Sequence, residues 1–310
     1  MRAHSIITVF RVTGPAAVPR YYLKTLRATE QNAELKRVQA AQEYELLRML
    51  WHRFEPFGAF GVIRPVAFWP ERSSFLTEAF DGEKLSRFLH RGRGWNAGPA
   101  AAHIETAVRH VGEWLARFQQ FTRRPATERF EPGDVLAYCE RRLRVLANAR
   151  DARVSARWAR EVMTRLERLG GLVGPDERRL VGCHNDFRPD NIVTDGRRIA
   201  VLDFTGFRPG PAMQDFVKFW MKLEDLRLGL SLRPRLVRRW QSAFADGYGE
   251  PVALGSPLGV LLRAANILDK LSETVPTGAG RRLAIRDALR RVLERSHVRA
   301  LGRLLEEGQV

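Results

Sequence analysis

Hydrophobic and polar positions follow two different patterns along this chain. In the first 80 residues, β-branched and aromatic residues form short runs: "IITVFRV" (6–12) and "RYYLKTL" (20–26), separated by the turn-forming "TGPAAVP", predict a hairpin. A long helix is expected from about Ala28 to Phe54, a stretch without Pro or Gly. "GVIRPVAFW" and "SSFLTEAF" then predict two more short strands. The first unit is expected to be a small sheet with one helix.

From about residue 81 the pattern becomes mainly helical. Apolar residues step by four, three, four and three through 101–120 and so form one stripe: Ile104, Val108, Val111, Leu115 and Phe118. Similar stripes occupy 134–169 and 281–305. The exception is "NIVTDGRRIAVLDF", which predicts two short strands around an Asp-Gly turn.

Composition narrows the class of protein. The 310 residues can form one large domain or two smaller ones, and 45% hydrophobic with 28% charged residues is typical of a globular chain. No apolar run is long enough to cross a bilayer, and the first residues lack the pattern of a signal peptide. Two isolated cysteines, Cys139 and Cys183, favour neither a disulfide framework nor a zinc site, so a cytoplasmic location is expected.

The net charge of +17 raises the question of a nucleic-acid partner. The excess is almost all arginine, with six lysines in the chain, and it is spread from end to end. No basic run alternates with aromatic residues as a base-stacking surface would. Nucleic-acid binding is therefore not expected as the main role.

The second hairpin carries a concentration of carboxylates. Its strands are nearly all apolar and should be buried, so Asp203 at the end of the second strand needs a partner. Strand pairing brings Asn191 and Asp203 towards each other, and such oxygen ligands suit Mg²⁺. Asp186, left free of the metal, could accept a proton from an attacking hydroxyl. The competing interpretation is a polar surface turn before an ordinary hairpin.

These residues match a known motif. His184, Asp186 and Asn191 in "HNDFRPDN", with Asp203 in "LDFTG", resemble the H-x-D-x-x-x-x-N catalytic loop and the metal-binding Asp of the protein-kinase-like phosphotransferases. Within that superfamily the chain is most similar to the aminoglycoside phosphotransferase family, which phosphorylates hydroxyl groups of small molecules. Four residue identities and two spacings coincide in the loop and hairpin, and a weaker resemblance covers about residues 6–220.

The resemblance implies an α+β, protein-kinase-like fold with two lobes. The small β-rich N-lobe, apparently truncated, would cover residues 1–80 and bind nucleotide. The larger, mainly helical C-lobe would cover residues 81–310 and carry the catalytic loop and the acceptor-binding helices.

The family also implies a role for each loop residue. Asp186 would orient the acceptor hydroxyl and take up its proton, while Asn191 and Asp203 would hold the magnesium ions that bridge the ATP phosphates. His184 would support the loop. Arg188 falls where related kinases carry a lysine or histidine and could neutralise charge on the transferring phosphoryl group. A solvent-facing salt bridge is the alternative for Arg188.

The first unit offers an independent check. Lys24 in "YYLK" resembles the ATP-anchoring lysine of kinases. Glu43 shares one helix face, at spacings of four, three and four, with apolar residues: Leu47, Leu50 and Phe54. A carboxylate on an inward face needs a buried partner, for which Lys24 is the natural candidate, whereas the rival Glu45 points elsewhere.

Two further assignments follow from the resemblance alone. "FLTEAFDG" (75–82) is similar to the hinge that reads adenine through main-chain groups, here those of Glu78, Ala79 and Phe80. Asp215 matches an Asp that braces the catalytic loop, and a helix N-cap is its alternative role.

One part of the family pattern is missing. No glycine-rich phosphate loop precedes the strand that begins near Ile6, and Gly14 belongs to the next turn. Three explanations stay open: a start site placed too late, a phosphate cradle built another way, or a scaffold that has lost catalysis.

The acceptor can be narrowed only in general terms. Eleven residues separate Asp203 from Asp215, which leaves no room for the long segment that binds peptides in protein kinases. Residues 226–310 hold fifteen Lys or Arg against eight Asp or Glu, which favours a neutral or anionic acceptor over a polycationic one. For the stripe at 285–305, a packed terminal helix is favoured over contact with a membrane surface.

The sequence thus predicts an ATP- and Mg²⁺-dependent phosphotransferase acting on a hydroxyl of a sugar, glycan, aminoglycoside or similar small molecule. The rivals are a catalytically inactive pseudokinase that only binds, and a basic nucleic-acid-binding protein.

Overall fold

A computed structural model describes residues 5–11, 20–92, 98–149, 154–228, 234–273 and 296–306. Contacts between Cα atoms divide the chain into two compact units. The first unit comprises Met1–Arg123, Val181–Pro209 and Lys222–Pro251; the second comprises Arg124–Leu180, Gly210–Met221 and Val252–Val310. The assignment of 1–80 to nucleotide binding and of 81–310 to catalysis is a division by function, and it stays a prediction.

The elements follow one another in mixed order. The strands are β1 (Ser5–Arg11), β2 (Arg20–Leu26), β3 (Phe60–Val62), β4 (Pro65–Trp69), β5 (Ser74–Glu78), β6 (Glu83–Lys84), β7 (Leu180–Cys183), β8 (Ile192–Thr194), β9 (Ile199–Val201) and β10 (Arg208–Pro211). The helices are α1 (Ala33–Phe54), α2 (Leu85–Arg91), α3 (Gly98–Phe121), α4 (Gly133–Ala147), α5 (Ala156–Gly171), α6 (Met213–Leu228), α7 (Pro234–Tyr248) and α8 (Pro257–Glu273). Residues 296–306 are also helical.

The predicted small sheet is present in the first unit. Its strands run in the order β1-β2-β5-β4, all antiparallel, and Lys24 pairs with Ile7 on one side and Phe75 on the other. Helix α1 packs on this sheet through Tyr44, whose ring lies 5.2 Å from that of Phe68. The β1–β2 strands confirm the predicted hairpin, although its turn at 12–19 lies outside the described residues.

Two element predictions need correction. "GVIRPVAFW" forms two strands, β3 and β4, because the chain changes partners at Pro65: β3 pairs with β9, and β4 pairs with β5. The long helix begins at Ala33 after a short 3-10 turn at Glu30–Asn32, whereas the sequence predicted a start near Ala28.

The second hairpin has the predicted form. Strands β8 and β9 pair antiparallel, with Ile192 opposite Val201, and both of these side chains are fully buried. Asp195 forms the turn by accepting the backbone N–H groups of Arg197 and Arg198 at 2.9 and 2.7 Å. The hairpin extends on either side into one sheet of order β3-β9-β8-β6.

An aromatic core lies beside this hairpin in the first unit. Trp114 of α3 stacks between three phenylalanines, with ring centroids 4.8 Å from Phe118 and 5.4 Å from both Phe54 and Phe187. Such stacked rings combine large apolar burial with fixed geometry. All five residues of the predicted stripe on α3 are fully buried, and one of them, Phe118, belongs to this aromatic core.

The second unit is helical and has its own core. Helices α4, α5 and α8 meet residues 296–306 around a set of buried apolar side chains that includes Cys139, Leu166, Leu268 and Leu301. This confirms the helical stripes predicted at 134–169. Of the stripe at 281–305, residues 281–295 lie outside the described part of the chain. No described helix is long and apolar enough to cross a membrane.

Candidate active site

The catalytic-loop motif begins with a buried histidine. His184 is fully buried, and its Nε2 lies 2.8 Å from the carbonyl oxygen of Leu202. Because a carbonyl only accepts, Nε2 carries the proton, and Nδ1 can accept the backbone N–H of Asp186 at 3.3 Å. The ring of Phe204 lies 4.8 Å from the imidazole. His184 thus joins the loop to the end of the hairpin, which is the geometry of a structural support.

Asp186 is held by two other residues of its loop. Asn191 Nδ2 donates to the Asp186 backbone carbonyl at 2.9 Å and to its carboxylate Oδ2 at 2.8 Å. Arg188 Nε lies 3.1 Å from the same Oδ2, but its N–H does not point at the carboxylate, so the contact is an ion pair without a hydrogen bond. The side chains of Arg188 and Asp186 are 41% and 38% exposed, so a small hydroxyl compound can reach them.

Asn185, which the sequence analysis did not single out, fixes the path of this loop. Its backbone is left-handed (φ 63°), a conformation that Asn adopts more readily than most residues. Its side-chain amide donates to the carbonyl oxygens of Cys183 at 3.2 Å and Gly206 at 2.9 Å. Asn185 therefore ties the loop to the turn that follows Asp203.

Asp203 leaves strand β9 in the left-handed region as well, with φ 65°. The backbone N–H of Leu202 donates to the carbonyl of Asn191 at 2.9 Å, so Asn191 and Asp203 lie at the same end of the hairpin, as predicted. The next residue, Phe204, donates its backbone N–H to Glu43 Oε1 at 2.9 Å. The turn is thus held from α1.

Lys24 lies at the centre of the site. Its Nζ donates to both carboxylate oxygens of Glu43, at 2.7 and 3.0 Å, and to Asp203 Oδ1 at 2.6 Å. The Lys24 side chain is 11% exposed and that of Glu43 only 2%, so the predicted Lys24–Glu43 pair is present and buried. Thr205 Oγ1 is a fourth acceptor at 2.8 Å. We call Lys24, Glu43, Asp203 and Thr205 the lysine cluster.

Two pKa shifts describe the electrostatics of this cluster. Burial acts to lower the pKa of Lys24, but the charges of Glu43 and Asp203 outweigh burial and raise it above the ordinary value. Burial would likewise raise the pKa of Asp203, yet the charge and hydrogen bond of Lys24 lower it to about 2. At neutral pH the lysine cluster therefore contains one cation and an ionised Asp203.

The hinge residues have only some main-chain groups available. The backbone N–H of Glu78 donates to Arg64 and that of Ala79 to Arg20, at 2.9 and 2.8 Å. Phe80 N–H makes no backbone hydrogen bond within the described residues. If the hinge reads adenine, its donor is therefore Phe80 N–H, and Glu78 and Ala79 can contribute only carbonyl oxygens. The hinge predicted from the sequence therefore has one main-chain N–H group left to donate to adenine.

Asp215 belongs to the other compact unit. It lies in the first turn of α6 and is fully buried. Its predicted role in bracing the catalytic loop stays a prediction, as does the alternative of a helix cap.

The residues predicted to hold magnesium offer suitable donor atoms. Asn191 has its amide nitrogen committed to Asp186, which leaves the amide oxygen as the atom for a cation. Asp203 Oδ1 is engaged by Lys24, whereas Oδ2 has no hydrogen-bond partner in the described part of the chain, and 48% of the side chain is exposed. Such oxygen ligands fit Mg²⁺, with water and phosphate completing its shell. No group of three His, Cys, Asp or Glu suited to a metal occurs in the described residues.

Two other residues of the site were missed by the sequence analysis. Thr205 contacts three charged groups, and the only sequence signal for it is a polar residue inside the apolar "LDFTGF". Ser86 of α2 donates to Asp190 Oδ1 at 2.8 Å, so Asp190 ties the loop to a helix. Contacts between residues so distant in the chain leave no local pattern.

Comparisons with known proteins agree with this geometry. The family model described as "Phosphotransferase enzyme family" (APH) matches residues 7–254. No curated protein matches the chain. Among solved structures, a glucosamine kinase is 18% identical, with 95% of this chain and 80% of that one covered and a TM-score of 0.57.

Two further solved structures show the same likeness. A choline/ethanolamine kinase family protein from Mesorhizobium loti is 14% identical, with 97% and 92% of the two chains covered and a TM-score of 0.54. Choline kinase LicA from Streptococcus pneumoniae is 11% identical, with 96% and 94% covered and a TM-score of 0.52. At these identities the likeness establishes the fold alone, which is the α+β, kinase-like fold that the motif predicted.

The match to the family model covers most of the chain, including the loop at 184–191 and the lysine cluster. The chain therefore belongs to the APH phosphotransferase enzyme family, as its resemblance to the aminoglycoside phosphotransferases predicted.

Proposed function

We propose that this protein transfers the γ-phosphoryl group of ATP, with Mg²⁺, to a hydroxyl group of a small molecule. The observation that carries the proposal is the joining of two separate parts of the sequence in one compact unit. The buried Lys24–Glu43 pair contacts Asp203, while Asn191, at the same end of the hairpin, orients the carboxylate of Asp186. Kinase-like phosphoryl transfer requires these parts together.

The proposed chemistry assigns the proton and the phosphoryl group to named atoms. The acceptor hydroxyl binds beside Asp186, whose carboxylate takes its proton. A bond forms between the acceptor oxygen and the γ-phosphorus, the bond to the β,γ-bridging oxygen breaks, and ADP leaves. Arg188, ion-paired with Asp186, brings a positive charge to the same place and can offset charge on the transferring group.

The remaining residues would bind and orient the nucleotide. Asn191 and Asp203 would hold Mg²⁺, which would neutralise phosphate charge. Lys24, kept in place by Glu43, would direct its ammonium at the α- and β-phosphates. The glucosamine kinase of similar fold has been solved with glucosamine, ADP and inorganic phosphate, which supports a nucleotide donor and a small acceptor here.

For the acceptor we favour a neutral or anionic sugar or similar hydroxyl compound. The cationic side chain of Arg188 lies 3.1 Å from the carboxylate of Asp186 and offsets its charge. A cationic acceptor would therefore gain little from Asp186 at the point of reaction. Glucose, glucosamine and N-acetylglucosamine form a matched set that varies the charge at one position.

We also place the reaction in the cytoplasm. Cys139 and Cys183 are both buried thiols, not a disulfide, which suits a reducing compartment. ATP as the donor supports the same location.

The test compares the wild-type protein with Asp186→Asn across sugars, aminoglycosides and amino alcohols, with ATP and Mg²⁺. Loss of a general base reduces the rate by roughly 10²–10⁴-fold, so turnover should fall to near background while the folded state persists. Asp195→Asn is the matched control, because within the described residues the Asp195 carboxylate contacts Arg197 and Arg198 of the hairpin turn and no residue of the catalytic loop. Its activity should stay within about threefold of wild type.

The other outcomes select the rival functions. Stabilisation by ATP and Mg²⁺ without turnover for any acceptor would indicate a pseudokinase. Steeply salt-dependent binding of nucleic acid that ATP does not compete with would indicate a nucleic-acid-binding protein. Equal activity of Asp186→Asn and wild type would refute the proposed role of Asp186.

A further inference from the structure

Thr205 is the one member of the lysine cluster that carries no charge, yet it touches the other three. Its Oγ1 lies 2.6 Å from Asp203 Oδ1, 2.8 Å from Lys24 Nζ and 3.2 Å from Glu43 Oε2. A hydroxyl has a single proton and two lone pairs. Thr205 can therefore accept from Lys24 and donate to only one of the two carboxylates at a time.

The backbone around Thr205 is fixed independently of the Asp203 side chain. Phe204 is buried and donates its backbone N–H to Glu43, while the carbonyl of Gly206 accepts the amide of Asn185. Rotation of the Asp203 carboxylate would leave these contacts intact. The Thr205 hydroxyl would then still lie beside Glu43.

Lys24 has more acceptors than protons in the present arrangement. Its ammonium carries three protons, and four oxygen atoms lie within 3.0 Å: two of Glu43, one of Asp203 and one of Thr205. Because three acceptors already use all three protons, the Lys24 ammonium can donate to a phosphate only if two of these contacts open. Of the two carboxylates, Asp203 is the exposed one, at 48% against 2% for Glu43, so its contact can open towards a cation.

We propose that Thr205 is a positioning residue that keeps Lys24 and Glu43 together when Asp203 turns from Lys24 to a metal ion. In the nucleotide-free protein the Thr205 hydroxyl donates its hydrogen bond to Asp203, the nearer carboxylate. When the Asp203 side chain turns away, the hydroxyl donates to Glu43 Oε2 instead and still accepts a hydrogen bond from Lys24. The inference rests on the proposed function, since it concerns the state that binds nucleotide and Mg²⁺.

The first test needs no nucleotide. Removing the Asp203 side chain by Asp203→Gly mimics its departure, and Gly suits the left-handed backbone at this position. Thr205→Val is then compared in the wild-type and Asp203→Gly backgrounds by urea denaturation. We expect Thr205→Val to raise the unfolding equilibrium constant about tenfold in the Asp203→Gly background, since a hydrogen bond to a charged group is lost.

A negligible effect of Thr205→Val in the Asp203→Gly background would overturn the inference, because the hydroxyl would then serve Asp203 alone. Asp203→Asn, which also tolerates a positive φ, provides a second background in case the glycine variant does not fold. This arm decides the role of Thr205 whether or not the protein transfers phosphate.

The second test measures binding of ADP and Mg²⁺ by calorimetry. Thr205→Val should weaken binding about tenfold, and Thr205→Ser, which keeps the hydroxyl, should restore it. Thr25→Val is the matched control. Thr25 follows Lys24 on β2, and within the described residues its hydroxyl pairs only with Ser74 of β5, at 2.9 Å. Its binding should equal that of wild type.

The outcomes separate this inference from the proposed function. If the wild-type protein binds no ADP with Mg²⁺, the proposed function fails, and the denaturation test alone decides the role of Thr205. If wild type binds and Thr205→Val binds equally well, the inference is wrong and the proposed function stands. Equal losses in Thr205→Val and Thr205→Ser would also contradict it, because the hydroxyl would not be the group that matters.

Discussion

Each compact unit contains a cluster of one cation, carboxylate oxygens and a hydroxyl. In the second unit the tyrosine cluster consists of Tyr138 and Arg142 on α4 and Asp269 on α8. Tyr138 donates to Asp269 Oδ1 at 2.5 Å, and Arg142 Nη2 lies 3.0 Å from the Tyr138 hydroxyl and 2.8 Å from Asp269. The Arg142 guanidinium also lies over the Tyr138 ring, 4.8 Å from its centroid.

The lysine cluster differs from the tyrosine cluster in burial, charge and backbone. Lys24 and Glu43 are 11% and 2% exposed, whereas Arg142 and Asp269 are 36% and 32% exposed. With two carboxylates for one cation the lysine cluster has a net charge of −1, while the tyrosine cluster is balanced. Only the lysine cluster includes a residue with positive φ, Asp203. The same chemical groups therefore fasten two regular helices in one unit and leave a carboxylate available to a cation in the other.

The largest expected difference follows from removing each cation. Lys24→Met leaves the Glu43 carboxylate buried without its ion-pair partner, which costs about 3 kcal/mol of unfolding free energy. Arg142→Met leaves Asp269 near solvent and should cost less than about 1 kcal/mol. Urea denaturation of the two variants measures the difference, and equal losses would show that burial does not distinguish the clusters.

A smaller effect is expected from neutralising the buried carboxylate of Glu43 on α1. Glu43→Gln keeps the shape of the side chain but removes the charge that faces Lys24, and should cost about 2 kcal/mol. Glu45→Gln is the matched control on the same helix, because Glu45 pairs with Arg48 at the surface, where both side chains are more than half exposed. It should change stability by less than about 0.5 kcal/mol.

The lysine cluster should also respond to acid. The pKa of Asp203 is lowered from 3.8 to about 2, so its contribution to stability is present above pH 4 and is lost as the pH falls to 2. Because half of the Asp203 side chain is exposed, we expect it to contribute about 1 kcal/mol to the free energy of unfolding, which is less than the full pKa shift implies. Denaturation of wild type and Asp203→Asn is measured at pH 6, 4 and 2. The difference between their free energies of unfolding should become smaller as the pH falls.

The alkaline end tests the tyrosine cluster. Burial, followed by the hydrogen bond to Asp269, raises the pKa of Tyr138 from 10.0 to about 12, so its contribution is present below pH 10 and is lost as the pH rises to 12. Lys24, whose pKa is also raised, loses its contribution above 10.5. Denaturation of wild type and Tyr138→Phe between pH 9 and 12 isolates the Tyr138 contribution. In the variant, the decline from Lys24 and from the buried Cys139 thiol, whose pKa burial raises from 9.0 to about 12, should persist.

Local spacing was enough to predict Glu43 and the hairpin that ends at Asp203, whereas Lys24 was selected by the resemblance to kinases. Glu43 was selected over Glu45 because helical periodicity places it with Leu47 and Leu50, and the structure buries all three. The hairpin of "NIVTDGRRIAVLDF" followed from apolar runs on either side of an Asp-Gly turn. Such patterns work because one face of each element must be covered.

The rest depended on contacts between distant parts of the chain. Thr205 meets Glu43 across 162 positions, and Asn185 meets Gly206 only because both backbones lie beside each other at the end of the hairpin. The carbonyl groups that accept from Glu78 and Ala79 N–H belong to Arg64, between β3 and β4, and to Arg20 of β2. No periodicity in a single sequence records which strand supplies an acceptor.

The smallest expected effect belongs to Tyr138→Phe at neutral pH. Arg142 and Asp269 contact each other directly at 2.8 Å, so the ion pair persists when the hydroxyl is removed, and water can replace the lost hydrogen bond. We expect a loss of about 0.5 kcal/mol, measured by urea denaturation at pH 7. A loss above about 2 kcal/mol would mean that the hydroxyl is an essential member of a buried network. Burial alone would then not explain why the lysine cluster, and not the tyrosine cluster, lies at the candidate active site.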